Sequence, residues 1–182
     1  MARVQQREQE AFTRLLDRHL VGLQRFLLRF TGNQADADEL SQEAMLRIWS
    51  HAQRWQSERV KFTTWLYRIG RNLAIDRHRQ RRDTTSDGLA ALADAGPDAI
   101  TVLDEARRKQ RMQVAVAALP ERQRTALMLC HFDGFSNQDA AAVLGVSVDA
   151  LESLLARARR TLKTTLLPLL EPDEAPPCSI QR

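Results

Sequence analysis

The sequence predicts an all-α protein built as two small helical domains joined by a flexible acidic linker. Three observations lead there. Only seven of the 182 residues are Gly and six are Pro, while long stretches of Ala, Leu, Arg, Gln and Glu favour helix. No alternating apolar and polar segment of strand length is bounded by turn pairs. Charge falls in blocks that divide the chain. Asn33 to Leu46 holds four acids (Asp36, Asp38, Glu39, Glu43) and no base; Arg54 to Arg82 is net +7; Asp83 to Ala106 is net −6.

The first helix is marked by Phe12, Leu15, Leu16, His19, Leu23, Phe26, Leu27 and Phe30, an i, i+3, i+4, i+7 stripe. Thr31-Gly32-Asn33 ends it. A second helix starts near Ala35–Asp38, where acids suit the positive end of the helix dipole. It buries Leu40, Ala44, Met45, Ile48 and Trp49. Trp55–Lys61 connects to a third helix with Phe62, Trp65, Leu66, Ile69 and Leu73 inward. Its other side carries Arg68, Arg71, Arg79 and Arg82, so the first domain, residues 1–82, is a three-helix bundle with one basic face. The linker, 83–106, contains Thr84-Thr85-Ser86-Asp87-Gly88 and Gly96-Pro97, with a transient helical turn expected at Leu89–Ala93. A second domain follows over 107–170. The tail, 171–182, holds three prolines and reads as disordered.

The bulk properties exclude several classes. Net charge is only +4 from 27 basic and 23 acidic residues. No apolar run reaches the ~18 residues of a membrane span, and the N-terminus opens on charged residues rather than a signal-peptide core. A cytoplasmic protein without membrane insertion is expected. The two cysteines, Cys130 and Cys178, make neither a disulfide framework nor a four-ligand zinc site. Cys130 ends an apolar helix with Leu127, Met128, Leu129 and Phe132. Neither metal nor cofactor is expected, and no carboxylate pair, nucleophile–base set or phosphate loop suggests an enzyme.

The strongest local motif is the run from Ser136 to Leu151. Ser136 and Asp139 form a Ser-x-x-Asp cap, Gly145 permits a tight turn, and Ser147 caps a following helix with Leu151, Leu154, Ala158 and Leu162 inward. Ala140, Leu144 and Val146 complete a small core. Turn spacing, two caps and the basic continuation Arg157, Arg159, Arg160, Lys163 favour a DNA-binding helix-turn-helix over a plain αα-corner. The second motif, FTTWLYRIGRNLAIDRHRQRR (Phe62–Arg82), mixes rings with arginines as single-strand binding requires. Phe62 and Trp65 lie on the inner stripe, however, which leaves Trp55 and the loop Gln56–Lys61 to reach bases.

Taken in order, ADADELSQEAMLRIW, then FTTWLYRIGRNLAIDRHRQRR, an acidic linker, and ALPERQRTALMLCHFDGFSNQDAAAVLGVSVDALESLLARARRTLK, the chain resembles the extracytoplasmic-function sigma factors of bacterial RNA polymerase, from Phe12 to Leu166. The resemblance implies a dissociable subunit that binds core RNA polymerase, opens the −10 promoter element with its first domain and reads the −35 element with its second. An anti-sigma factor is the implied inhibitory partner. Glu39, Leu40, Gln42 and Glu43 match the polymerase-binding segment. Trp55, Arg59 and Lys61 fall in the segment that captures a −10 base, and Arg68, Arg71, Asn72, Arg79 and Arg82 on the −10 helix. The acidic linker suits a segment that threads a nucleic-acid channel. Ser147, Asp149, Glu152, Ser153, Arg157 and Arg160 form the −35 set. There the chain departs from the family's common Gly-Thr-Val-Lys-Ser-Arg-Leu: Asp149-Ala150-Leu151-Glu152-Ser153-Leu154-Leu155 replaces two customary bases by Glu152 and Leu154. A stand-alone helix-turn-helix regulator is the rival reading; it leaves the first domain unexplained.

Overall fold

The computed structural model describes residues 1–56, 60–84 and 110–167, with the side chains of 82–84 left aside. Every element among them is helical or a turn. The helix Phe62–Thr84 runs two residues into the expected linker; the rest of the linker with its expected turn at Leu89–Ala93, the C-terminal tail and Arg59 lie outside the described residues.

A short helix α1 (Ala2–Gln5) precedes the long α2 (Gln9–Thr31). α1 was not foreseen, because one apolar residue, Val4, is its whole buried contribution. The stripe on α2 buries Leu23, Phe26, Leu27 and Phe30, each side chain worth about 1.5–3 kcal/mol of transfer from water. Gly32, at φ 69°, takes the left-handed conformation that ends α2, and its N–H bonds the Leu28 carbonyl. Asn33 then starts α3 (Gln34–His51) by accepting from the Asp36 N–H. α3 packs Ala37, Leu40, Ala44, Met45 and Ile48 against α2 and ends in a 3-10 turn, Ala52–Arg54. α4 (Phe62–Thr84) crosses both, placing Leu66, Tyr67, Leu73 and Ala74 in the core. Gly70 allows that crossing: a Cβ there would lie 2.8 Å from Leu23 Cδ1.

The second bundle contains α5 (110–117), α6 (Glu121–Leu127), a π-helical turn (Met128–Phe132), α7 (Asn137–Leu144) and α8 (Val148–Leu166). Ser136 and Ser147 cap α7 and α8 through the Asp139 and Ala150 N–H groups, and Gly145 turns between them at φ 68°. The inward stripe of α8 is wider than expected: Leu151, Leu155 and Ala158 are buried, and half-buried Leu154 and Leu162 pack against the core beside them. Phe132, at the end of the apolar run, is 53% exposed, with the Arg29 guanidinium 5.3 Å from its ring centre.

The two bundles touch. Tyr67 of α4 meets Phe135 with ring centroids 4.7 Å apart, and the apolar cores are continuous across this contact. Arg29 reaches Asp133 at 2.5 Å, and Arg124 lies 4.8 Å over Phe30. Burial of the Tyr67 ring drives its hydroxyl well above the ordinary phenol range.

Candidate polymerase and promoter surfaces

The acidic face of α3 is built on a clasp with α4. Arg77 grips Glu39 through both guanidinium nitrogens, Nη2 to Oε1 at 2.5 Å and Nη1 to Oε2 at 3.0 Å. Its Nη1 also reaches the buried Asp36 at 3.2 Å, and Arg81 closes on Asp36 at 2.8–2.9 Å. The Arg77 guanidinium holds the Glu39 carboxyl below its usual range. Two arginines thus neutralise the acids that open the helix, an arrangement the linear charge blocks do not reveal. Glu39 and Gln42 face solvent, and Glu43 pairs with Arg47 at 2.6 Å. Leu40 is the exception in this set. At 1% exposure it is core, so it positions the helix and has no surface to offer a partner.

The expected −10 face of α4 is not open along its length. Lys61 pairs with Asp139 of α7 at 2.9 Å. Arg68 donates to the Ala142 carbonyl, and Arg71, 13% exposed, pairs with Glu121 at 2.7 Å. Arg68 and Arg71 were expected on an exposed basic face; instead the second bundle covers them. The reason is complementarity: α6 presents the Glu121 carboxylate to Arg71 and α7 the Ala142 carbonyl to Arg68. Asn72 and Arg79 remain exposed. Trp55 is half-buried, and its carbonyl accepts from the Gln5 amide at 2.9 Å. The turn after α1 brings Arg7 over the Trp49 ring, 5.4 Å from its centre. Gln5 and Arg7 escaped the sequence reading because they act across 50 and 42 residues.

On α8 the expected −35 residues stand together. Asp149, Glu152, Ser153, Arg157 and Arg160 are exposed at spacings that share one helix face. Ser147 spends its hydroxyl on the cap, accepting from Ala150 N–H at 3.2 Å. Glu152 Oε1 accepts from the Asn137 side-chain amide at 3.2 Å, and Arg159 Nη2 lies 3.2 Å from His131 Nε2. Among the described residues no cluster of His, Cys, Asp and Glu is arranged to hold a metal ion. Burial pushes the Cys130 thiol up, away from the reactive thiolate. No helix among the described residues is long and apolar enough to cross a membrane.

The Sigma-70 region 2 family model matches residues 15–84 and the Sigma-70, region 4 model residues 109–162, each over one bundle. The ECF RNA polymerase sigma factor SigE of Mycolicibacterium smegmatis is 31% identical over 156 residues, which cover 84% of this chain and 60% of that protein. The RNA polymerase sigma-H factor of Pseudomonas aeruginosa is 30% identical over 179 residues, 92% of each chain. The chain belongs to the extracytoplasmic-function sigma factors. With that membership comes the family's role, directing RNA polymerase to promoters. The fold of this sigma factor is also that of a solved relative. The structure of CnrH in complex with the cytosolic domain of CnrY matches with a TM-score of 0.71 at 29% identity, covering 92% of this chain and 94% of that one.

Proposed function

We propose that this sigma factor binds core RNA polymerase through the solvent-facing side of α3, with Glu39, Gln42 and Glu43 as contacts and Leu40 as their support. Residues 1–82 serve the −10 element, 107–170 the −35 element, and 83–106 form the connecting linker. Trp55, Arg59, Lys61, Arg68, Arg71, Asn72, Arg79 and Arg82 serve the −10 strand. Ser147, Asp149, Glu152, Ser153, Arg157 and Arg160 serve the −35 duplex. The bond-forming chemistry belongs to the polymerase core, and the site of action is the cytoplasm.

The observation that carries this reading is the exposed face of α8, where five polar residues align beside a capped turn of helix-turn-helix geometry. The closed packing of the bundles adds a requirement. Lys61, Arg68 and Arg71 are held by the second bundle, so the bundles must part before those groups reach phosphates. Polymerase binding supplies the free energy for that separation, since the two halves then dock on separate surfaces. By likeness to CnrH, solved with the cytosolic domain of CnrY, we also propose an anti-sigma partner that keeps this chain from polymerase.

The test is reconstitution. Core polymerase with the full chain should direct run-off transcription from a defined set of promoters in a genomic library, and core alone should not. Unselective transcription, or no co-elution with core, would overturn the reading.

A further inference from the structure

α8 carries an exposed carboxylate, Glu152, and the structure holds that carboxylate in place. Glu152 lies five residues past the Ser147 cap of α8, and its Oε1 accepts from Asn137 Nδ2 at 3.2 Å. Asn137 is the first residue of α7, so the contact spans the two halves of the helix-turn-helix. The other end of the same amide faces Cys130, whose Sγ lies 3.8 Å from Oδ1. A thiol donor on one side and a carboxylate acceptor on the other settle which way the amide points. The nearby cation on α8, Arg159, is turned to His131 at 3.2 Å.

These contacts bear on how DNA is read. An exposed glutamate has several rotamers, and fixing one before binding removes part of the ordering cost at the interface. A carboxylate has about four lone-pair sites, and the bond from Asn137 occupies one. The others remain to accept from the N4 amino group of cytosine, the donor that C·G pairs present in the major groove.

We propose that Asn137 is a positioning residue for −35 readout, holding Glu152 so that its carboxylate selects cytosine at one base pair. This rests on the assignment of α8 to the −35 element. It places a determinant of promoter choice on the first helix of the motif, outside the recognition helix.

The experiment selects transcribed promoters from a library randomised across the −35 element, using reconstituted holoenzyme. It compares wild type, Glu152→Gln, Asn137→Ala, Asn137→Gln and the Glu152→Gln/Asn137→Ala double variant. Glu152→Gln and Asn137→Ala should reduce cytosine preference at the same base pair by about three- to tenfold, within what one base contact supplies. The double variant should lose no more than the larger single loss, because both remove one interaction. Asn137→Gln, which keeps an amide donor, should recover part of the preference. An equal fall in affinity for all −35 sequences with Asn137→Ala would make Asn137 a phosphate contact and overturn the proposal. So would an unchanged preference in Asn137→Ala, or in Glu152→Gln. A wild-type holoenzyme that selects no −35 sequence would instead remove the assignment of α8, a result distinct from any variant effect.

Discussion

Lys61 at the threshold of α4 and Asp139 in α7 are 78 residues apart in the chain and 2.9 Å apart in space. The pair ties a residue of the expected −10 set to the motif expected to read −35. Lys61 and Asp139 side chains are 70% and 20% exposed, so this bond by itself contributes at most about 1 kcal/mol and is screened by salt. The less exposed Arg71–Glu121 and Arg29–Asp133 pairs and the Tyr67–Phe135 contact add to it. The linker's charge alone would suggest domain closure through attraction to the basic stretch; the structure supplies direct contacts between the bundles.

Salt should therefore loosen the closed form without abolishing it. Small-angle scattering of the full chain should show a radius of gyration that rises modestly with salt. Phe135→Ala, which removes the apolar contact, should give a larger rise at low salt than Asp139→Asn. A radius of gyration unmoved by salt and by both variants would refute closure through these contacts. Weak DNA binding by the isolated chain is the companion expectation, because covered arginines have no access to phosphates.

A second prediction concerns pH. Burial raises the Asp133 carboxyl above its ordinary value of 3.8, and this outweighs the opposing pull of Arg29. A raised native pKa means the folded state binds the proton more tightly. The proton-linked stability is thus full below 3.8 and is lost as pH rises through the raised native value. Asp139 has the opposite sign: Lys61 and Ser136 lower its carboxyl, so its contribution is present above 3.8 and lost as pH falls through the lowered value. Melting curves of wild type and Asp133→Asn should accordingly converge or cross, with wild type gaining on the variant as pH falls through the raised range. Parallel curves would sink the claim.

The third prediction separates support from contact on α3. Leu40→Ala should cost about 2–5 kcal/mol of folding stability, read as a lower melting temperature. Co-elution of the folded fraction with core polymerase should change little. Glu39→Lys with Glu43→Lys should do the reverse, abolishing co-elution in size-exclusion chromatography while helicity persists. Loss of helicity in the double variant would mean that the Arg77 clasp on Glu39 is needed for folding.

The readable parts of this molecule are those whose cause is local. Ser136, Asp139, Gly145 and Ser147 announce their caps and turn because each acts within a few residues. The stripe of α2 is legible from Phe12 to Phe30 because helical period alone sets it. Leu155 is absent from the expected stripe of α8, although it is more buried than Leu154, because helical period does not separate two adjacent leucines at the edge of a stripe. The clasp of Arg77 on Glu39 spans 38 residues and depends on how α3 meets α4, which no local pattern encodes. The covering of Arg68 and Arg71 depends on where a second bundle docks. Sequence placed these arginines on a helix face correctly; only tertiary structure decides what that face meets.

On α8, Arg157 and Arg160 are exposed, as Glu152 is. No Lys or Arg occurs from Asp133 to Ala156, so under the proposed −35 reading the first half of α8 would approach DNA without a cation. Phosphate attraction must come from Arg157 onward and from bases outside the motif such as Arg122. A bidentate arginine–guanine contact discriminates by about 1–3 kcal/mol, whereas a phosphate contact adds affinity to every sequence alike. Arg157→Ala should relax selection at one base pair of a randomised −35 library, and Arg160→Ala should weaken all sequences about equally. Glu152→Lys replaces the carboxylate by a cation within reach of the DNA backbone. Its non-specific affinity should rise, and the salt dependence should steepen by about one phosphate. Cytosine preference at the Glu152 position should disappear with it. If wild type and Glu152→Lys return the same consensus, Glu152 is a solvated helix residue and reads nothing.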